Sequence, residues 1–205
     1  MPQTFFDSPA TYGLIFLIAV VSGYAFTVDI NVNNKLDLDI GRILNQKQYY
    51  RLITSGLVHA DPVHFLFNMV TLYFFGPLVE YALGLVPFLI LYFGSELAAN
   101  FLTLYLKRRQ IGYASLGASG AICGVVLSSC LFAPFNKIYV MMLPIGIPAF
   151  IYGICYIGYS MFQVQSDARD GTAHEAHLGG AIAGLVLTVL FEPRVIGSFL
   201  AHFGV

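Results

Sequence analysis

The sequence predicts an all-α membrane protein, a single domain built as a bundle of six transmembrane helices. Three observations carry this. Of the 205 residues, 58% are hydrophobic and 10% charged, whereas a soluble domain carries about 25% charged residues. Six stretches reach the roughly 20 predominantly apolar residues that a helix needs to cross a bilayer. None shows the short alternating segments of a membrane β-barrel, so the backbone polar groups must be satisfied within helices. The domain is expected to occupy 1–205, with its core in 10–192.

The first span is expected near 12–28. The first Lys or Arg of the chain is Lys35, so no basic n-region precedes the span and no cleavable signal peptide is expected. The longest connection, 29–62, mixes charge (Asp29, Lys35, Asp37, Asp39, Arg42, Lys47, Arg51) with apolar pairs such as Ile43 and Leu44. It is too long for a hairpin and is expected to form partly ordered structure at the membrane surface. Spans two and three, 63–83 and 86–106, meet at a tight turn around Gly84, with Pro87 where a new helix can begin. A polar loop, 107–114, leads to span four at 115–133, and Pro134 and Asn136 separate it from span five at 138–162. A second polar loop, 163–173, precedes span six at 174–191.

The net charge of −1 and the lack of a long basic run exclude a nucleic-acid partner. Cys123, Cys130 and Cys155 lie in apolar stretches at spacings that fit no zinc pattern. They read as small hydrophobes, and neither a disulfide, a metal nor a cofactor is expected.

Polar residues inside spans are costly and therefore mark function. His64 and Asn68 are four residues apart and share one face of span two. Ser119 lies in span four, and His174 and His177 begin span six. At about 1.5 Å per residue, His64 and Asn68 sit roughly 2 and 8 Å, Ser119 roughly 6 Å and His177 roughly 5 Å from span ends on the same membrane face. Three spans thus place a hydroxyl, an imidazole and a His/Asn pair in one layer. Such a layer can run acyl transfer. A serine hydroxyl becomes nucleophilic when a base takes its proton, and imidazole is that base near neutral pH. The oxyanion needs fixed donors, which His64, Asn68 and the backbone N–H of Ser119 can supply.

Glycines support the pairing. Gly117, Gly120 and Gly124 surround Ser119, while His177, Gly180 and Gly184 form one stripe of span six. Small residues at this spacing let membrane helices approach closely. Close approach of spans four and six is what a Ser119–His177 pair requires.

These residues resemble the rhomboid family of intramembrane serine proteases. The resemblance rests on three motifs in order on spans two, four and six: His59, His64 and Asn68 as H-x4-H-x3-N; Gly117-Ala118-Ser119-Gly120; and Ala176-His177 followed by Gly180 and Gly184. Tyr50-Arg51 and Glu80 are similar to further family positions, with Tyr50 in place of a Trp. The resemblance implies a six-span rhomboid-like bundle with a Ser119–His177 dyad lacking a third carboxylate. It implies an oxyanion hole of His64 and Asn68, and single-span transmembrane proteins as substrates, cut in or near their spans. A lateral gate near spans two and five and a movable cap from the fifth loop follow from it too. So does residence, multi-pass, in the bilayer of a bacterial cell membrane. Two positions depart from the pattern: Cys123 replaces an aromatic that packs on the catalytic imidazole in many relatives, and Glu96 replaces a small residue.

Blander roles are expected for the other polar residues. His174 reads as interfacial, His59 as structural, Arg51 as an anchor for loop one, and Glu96 with Asn100 as a satisfied polar pair. Two other functions fit the sequence less well. A catalytically inactive relative that binds membrane clients has no need to keep both Ser119 and His177. A transporter predicts inverted repeats and ionisable groups at the midplane. Eight Lys and Arg (Lys35, Arg42, Lys47, Arg51, Lys107, Arg108, Arg109, Arg169) lie on the active-site face, against Lys137 and Arg194 on the other. The positive-inside rule alone puts that face in the cytoplasm, and the family resemblance puts it outside.

Overall fold

The computed structural model of the chain describes residues 7–139, 145–166 and 173–204. Helix α1 (Pro9–Thr27) begins with a proline, whose missing N–H would have been unpaired there anyway. Its next two N–H groups are capped from far along the chain. Those of Ala10 and Thr11 donate to the Glu80 carboxylate at 2.8 and 2.7 Å, and the Thr11 hydroxyl donates at 2.7 Å. Glu80 is buried, so Glu80→Ala strands three buried donors and is expected to cost about 3 kcal/mol or more. Glu80→Gln keeps an acceptor and should cost less. Thermal unfolding in detergent checks both.

Loop one is more ordered than expected. It folds into α2 (Asn31–Leu36), β1 (Leu38–Asp39), α3 (Ile40–Gln46), α4 (Arg51–Thr54) and a 3-10 turn at Ser55–Leu57. Arg51 is 1% exposed. It donates to the Asp37 carboxylate at 2.5 Å, the Asp37 carbonyl at 2.8 Å and the Gln48 side chain at 2.7 Å. Leu38, Ile43 and Leu52 seat the loop on Leu97 and Leu104.

Helix α5 (Pro62–Leu83) is capped by Asp61, which accepts from the N–H groups of Val63 and His64. Gly84, at φ +85°, turns the chain into α6 (Leu85–Lys107).

The expected fourth span starts too early. Strand β2 (Ala114–Ser115) pairs antiparallel with β1, and α7 runs only over Ser119–Phe132. The cause is local: Gly117 adopts φ +124° and its N–H donates to the Ser55 carbonyl at 2.9 Å. Extended chain, not helix, therefore carries the backbone down to Ser119.

The fifth span is corrected as well. Its first part forms a ribbon of β3 (Lys137–Tyr139) and β4 (Gly146–Pro148), and α8 begins only at Ala149 and ends at Gln165. Pro144, Gly146 and Pro148 within five residues cannot propagate a helix. Residues 140–144 of that expected span, and 167–172 of the expected cap, lie outside the described residues. Helix α9 (His174–Phe191) matches expectation, and α10 (Arg194–Ala201) was not anticipated.

Among the described residues α1, α5, α6 and α9 are long and apolar enough to cross a membrane, and α7 is a shorter apolar helix. At 14 residues α7 is only about 21 Å long. It lies inside the bundle between α6 and α9, with α5 on its other side, α1 beyond α5, and α8 along α9. The outer helix faces stay apolar, as with Phe16 (71% exposed), Phe74 (70%) and Ile154 (69%). Such a surface fits lipid, not water.

The α6–α7–α9 centre is built from small residues. A Cβ on Gly120 would lie 2.6 Å from that of Ala99, and one on Gly179 would lie 3.0 Å from the Ala98 carbonyl. A Cβ on Gly180 or Gly184 would fall on the carbonyl of Gly120 or Gly124. One turn further, the Thr188 hydroxyl donates to the Ser128 hydroxyl at 2.6 Å. Of the glycines expected to bring helices together, Gly120, Gly124, Gly180 and Gly184 sit backbone to backbone; Gly117 does not, because it precedes α7 in a left-handed turn against the His64 ring.

Candidate active site

This seam ends at Ser119 and His177. Ser119 is the first residue of α7, and His177 lies one turn into α9. His177 Nε2 is 2.8 Å from Ser119 Oγ, hydrogen-bond distance. The hydroxyl can therefore give its proton to the ring nitrogen without any rearrangement.

The start of α7 supplies donors. Ala118, its N-cap residue, has no capping side chain. Of the first three N–H groups, that of Ala121 donates to Glu96 Oε2 at 3.2 Å. Those of Ser119 and Gly120 have no protein acceptor among the described residues. Unpaired N–H groups at the positive end of a helix beside the hydroxyl are suited to a developing oxyanion.

The His64 ring lies over Gly117. A Cβ there would come within 2.5 Å of its Cε1, so only glycine lets the ring approach. Asn68 is buried, one turn further along α5, and its amide donates to the His64 carbonyl at 3.1 Å. Asn68 and Ser119 open on one cavity of about 160 Å³, walled by Thr71, Ile122, Cys123, Val126, Leu127, Tyr152 and Tyr156. It has a polar end at the serine and an apolar wall shared by α5, α7 and α8.

Three buried polar residues hold this arrangement, and two have closer ties to Ser119 than their motifs suggest. His59 Nε2 accepts from the Ala118 N–H at 3.4 Å, so the ring proton sits on Nδ1, 2.9 Å from the Ser22 hydroxyl. Ser22 in turn donates to the Leu57 carbonyl at 2.9 Å. Glu96 joins the start of α7 to Asn100 (3.0 Å) and Ser55 (3.4 Å). The expected Glu96–Asn100 pair is present, with the Ala121 N–H of α7 as its third member. His174, expected at the interface, is instead buried, edge-on to Tyr159 at 5.7 Å and to His177 at 6.3 Å. Its neighbour Glu175 accepts from the Tyr113 hydroxyl at 3.0 Å; burial, then that carboxylate, push the Tyr113 pKa up. The aromatic missing at Cys123 is met from another helix. Tyr156 of α8 lies nearly parallel to the His177 ring (centroids 6.5 Å, 27°), with its hydroxyl 2.8 Å from Cys123 Sγ.

Burial, with the nearby His64, lowers the His59 pKa from 6.5 to about 3, against a small opposing effect of Asp61. Between those values the unfolded chain binds a proton that the folded one does not, so stability is complete above 6.5 and lost as pH falls. The midpoint of thermal unfolding should drop on acidification below about 6.5, as stability falls by up to about 1.4 kcal/mol per pH unit. His59→Gln, which cannot titrate, should flatten that slope.

The family described as "Rhomboid domain" matches residues 46–194. Rhomboid protein 1, mitochondrial, of Saccharomyces cerevisiae is 30% identical over 152 residues, covering 70% of this chain and 43% of that protein. RHOMBOID-like protein 12, mitochondrial, of Arabidopsis thaliana is 29% identical over 154 residues, covering 67% and 45%. Rhomboid protease GluP of Bacillus subtilis is 28% identical over 157 residues, covering 77% and 29%. The chain spans less than half the length of these relatives. It is an integral, multi-pass membrane protein with a helical bundle, and the family match over most of its length makes it a member of the rhomboid family.

Proposed function

We propose that the chain is an intramembrane serine endopeptidase using a Ser119–His177 dyad. The carrying observation is the 2.8 Å contact between Ser119 Oγ and His177 Nε2, made between two helices 58 residues apart. Ser119 attacks the carbonyl carbon of a peptide bond while His177 takes its proton. The oxyanion accepts from the Ser119 N–H, with His64 and Asn68 beside it. His177 then protonates the leaving amine, and water, deprotonated by the same ring, releases the acyl group.

The substrates are single-span membrane proteins reaching the cavity from lipid between α5 and α8. Its apolar wall suits an apolar side chain next to the scissile bond. In this reading α7 and α8 complete six crossings. The active-site face lies outside a bacterial cell membrane. Three of the basic residues that argue otherwise are tied to Asp29, Asp39 and Asp37, which supports loop one as a surface-bound structure.

Labelling of the purified protein by a fluorophosphonate, together with cleavage of a reconstituted single-span substrate, tests the reading. A protein that binds such a substrate but is never labelled is a client-binding relative.

A further inference from the structure

We propose that Tyr156 is a positioning residue for His177, and that through it the placement of α8 sets how fast Ser119 reacts. This rests on the dyad reading above. The His177 ring is bracketed by two rings. Tyr156 lies nearly parallel to it at 6.5 Å and His174 edge-on at 6.3 Å. His174 is itself met edge-on by Tyr159 at 5.7 Å. Tyr156 and Tyr159 are three residues apart on α8, one face of a helix, so both sides of the bracket trace to α8.

Imidazole must keep Nε2 aimed at Ser119 Oγ in both protonation states, and rotation about its side-chain torsions ruins that aim. Flat neighbours at these separations oppose the rotation, and aromatic pairs prefer such offset or edge-on geometries. Tyr156 is fixed in turn by the Cys123 thiol at 2.8 Å, one turn after Ser119 on α7. The base on α9 is therefore steadied by α8, which is tied back to the nucleophile helix. Helix α8 is the element able to carry such a link to the membrane. It lies on the outside of the bundle, with Ile154 69% and Phe162 64% exposed, and it walls the cavity through Tyr152 and Tyr156.

The test compares Tyr156→Phe, Tyr156→Leu and Cys123→Ala by fluorophosphonate labelling rate, by kcat and KM on a reconstituted single-span substrate, and by thermal midpoint. Leu fills the space without a flat face; Phe keeps the face without the hydroxyl. Tyr156→Leu is expected to lower kcat and labelling rate by about tenfold, a larger change than in KM, with the protein still folded by its thermal transition. Tyr156→Phe and Cys123→Ala each remove one partner of the same hydrogen bond. They should lose only a few-fold each, and their double variant no more than either. Leu and Phe variants with equal labelling rates mean that the ring only fills space, and overturn the proposal. A wild-type protein that is not labelled at all overturns the protease reading, and this inference with it.

Discussion

Ser119→Ala and His177→Ala are each expected to lower the cleavage rate by about 10⁴-fold or more, and the double variant by no more than either alone. In the proposed mechanism the contact at 2.8 Å makes hydroxyl and imidazole one functional unit. Without the ring, the serine proton has no other side-chain acceptor in reach among the described residues; without the hydroxyl, the ring has nothing to activate. A loss of 10⁴-fold corresponds to about 5.4 kcal/mol of transition-state stabilisation. Residual activity should reflect the α7 donors and substrate binding alone. The measurement is the cleavage rate of a fluorescent single-span substrate in proteoliposomes, with fluorophosphonate labelling alongside. Ser119 borders the cavity, and both residues are only partly buried, so the thermal midpoints should stay near that of the wild type. Effects of the two substitutions that multiply would mean independent roles, and normal cleavage by Ser119→Ala would remove the nucleophile assignment.

Much of this arrangement was legible in the sequence because it depends on spacing along single helices. Spans expected at 63–83, 86–106 and 174–191 appear as Pro62–Leu83, Leu85–Lys107 and His174–Phe191. The meeting of α7 and α9 was legible for the same reason, since Gly120, Gly124, Gly180 and Gly184 repeat at helical intervals. Hydropathy failed where apolar chain is not helical. Residues 114–118 and the paired strands at 137–139 and 146–148 lie within stretches that read as apolar spans. A paired strand and Gly117 set the first, and prolines the second.

Other contributions depend on how whole helices are rotated against one another, which one chain of letters does not encode. Glu96 looked like a partner for Asn100 because both lie on α6; that its other oxygen reaches Ala121 follows from the packing of α6 on α7. Tyr156 is one of three tyrosines on α8, and its contacts with His177 and Cys123 distinguish it. His59 was visible in its motif, yet the backbone it holds, Ala118, is 59 residues away.

Gly180→Val should be the most damaging change away from the reacting atoms. A side chain at 180 has nowhere to go: its first carbon would fall on the Gly120 carbonyl, backbone that cannot rotate aside. Helices α7 and α9 must separate, and Ser119 and His177 separate with them, since they sit at the top of the same seam. A displacement of about 1 Å is enough to cost roughly 100-fold in rate, and overpacking costs about 1–3 kcal/mol in stability. The variant is therefore expected to lose at least about 100-fold in fluorophosphonate labelling while still folding, with Gly180→Ala intermediate. Gly23→Val is the control, because a Cβ at Gly23 meets nothing within 4 Å; it should label normally. If Gly180→Val reacted as fast as Gly23→Val, the close approach of α7 and α9 could not be what brings the hydroxyl and the imidazole together.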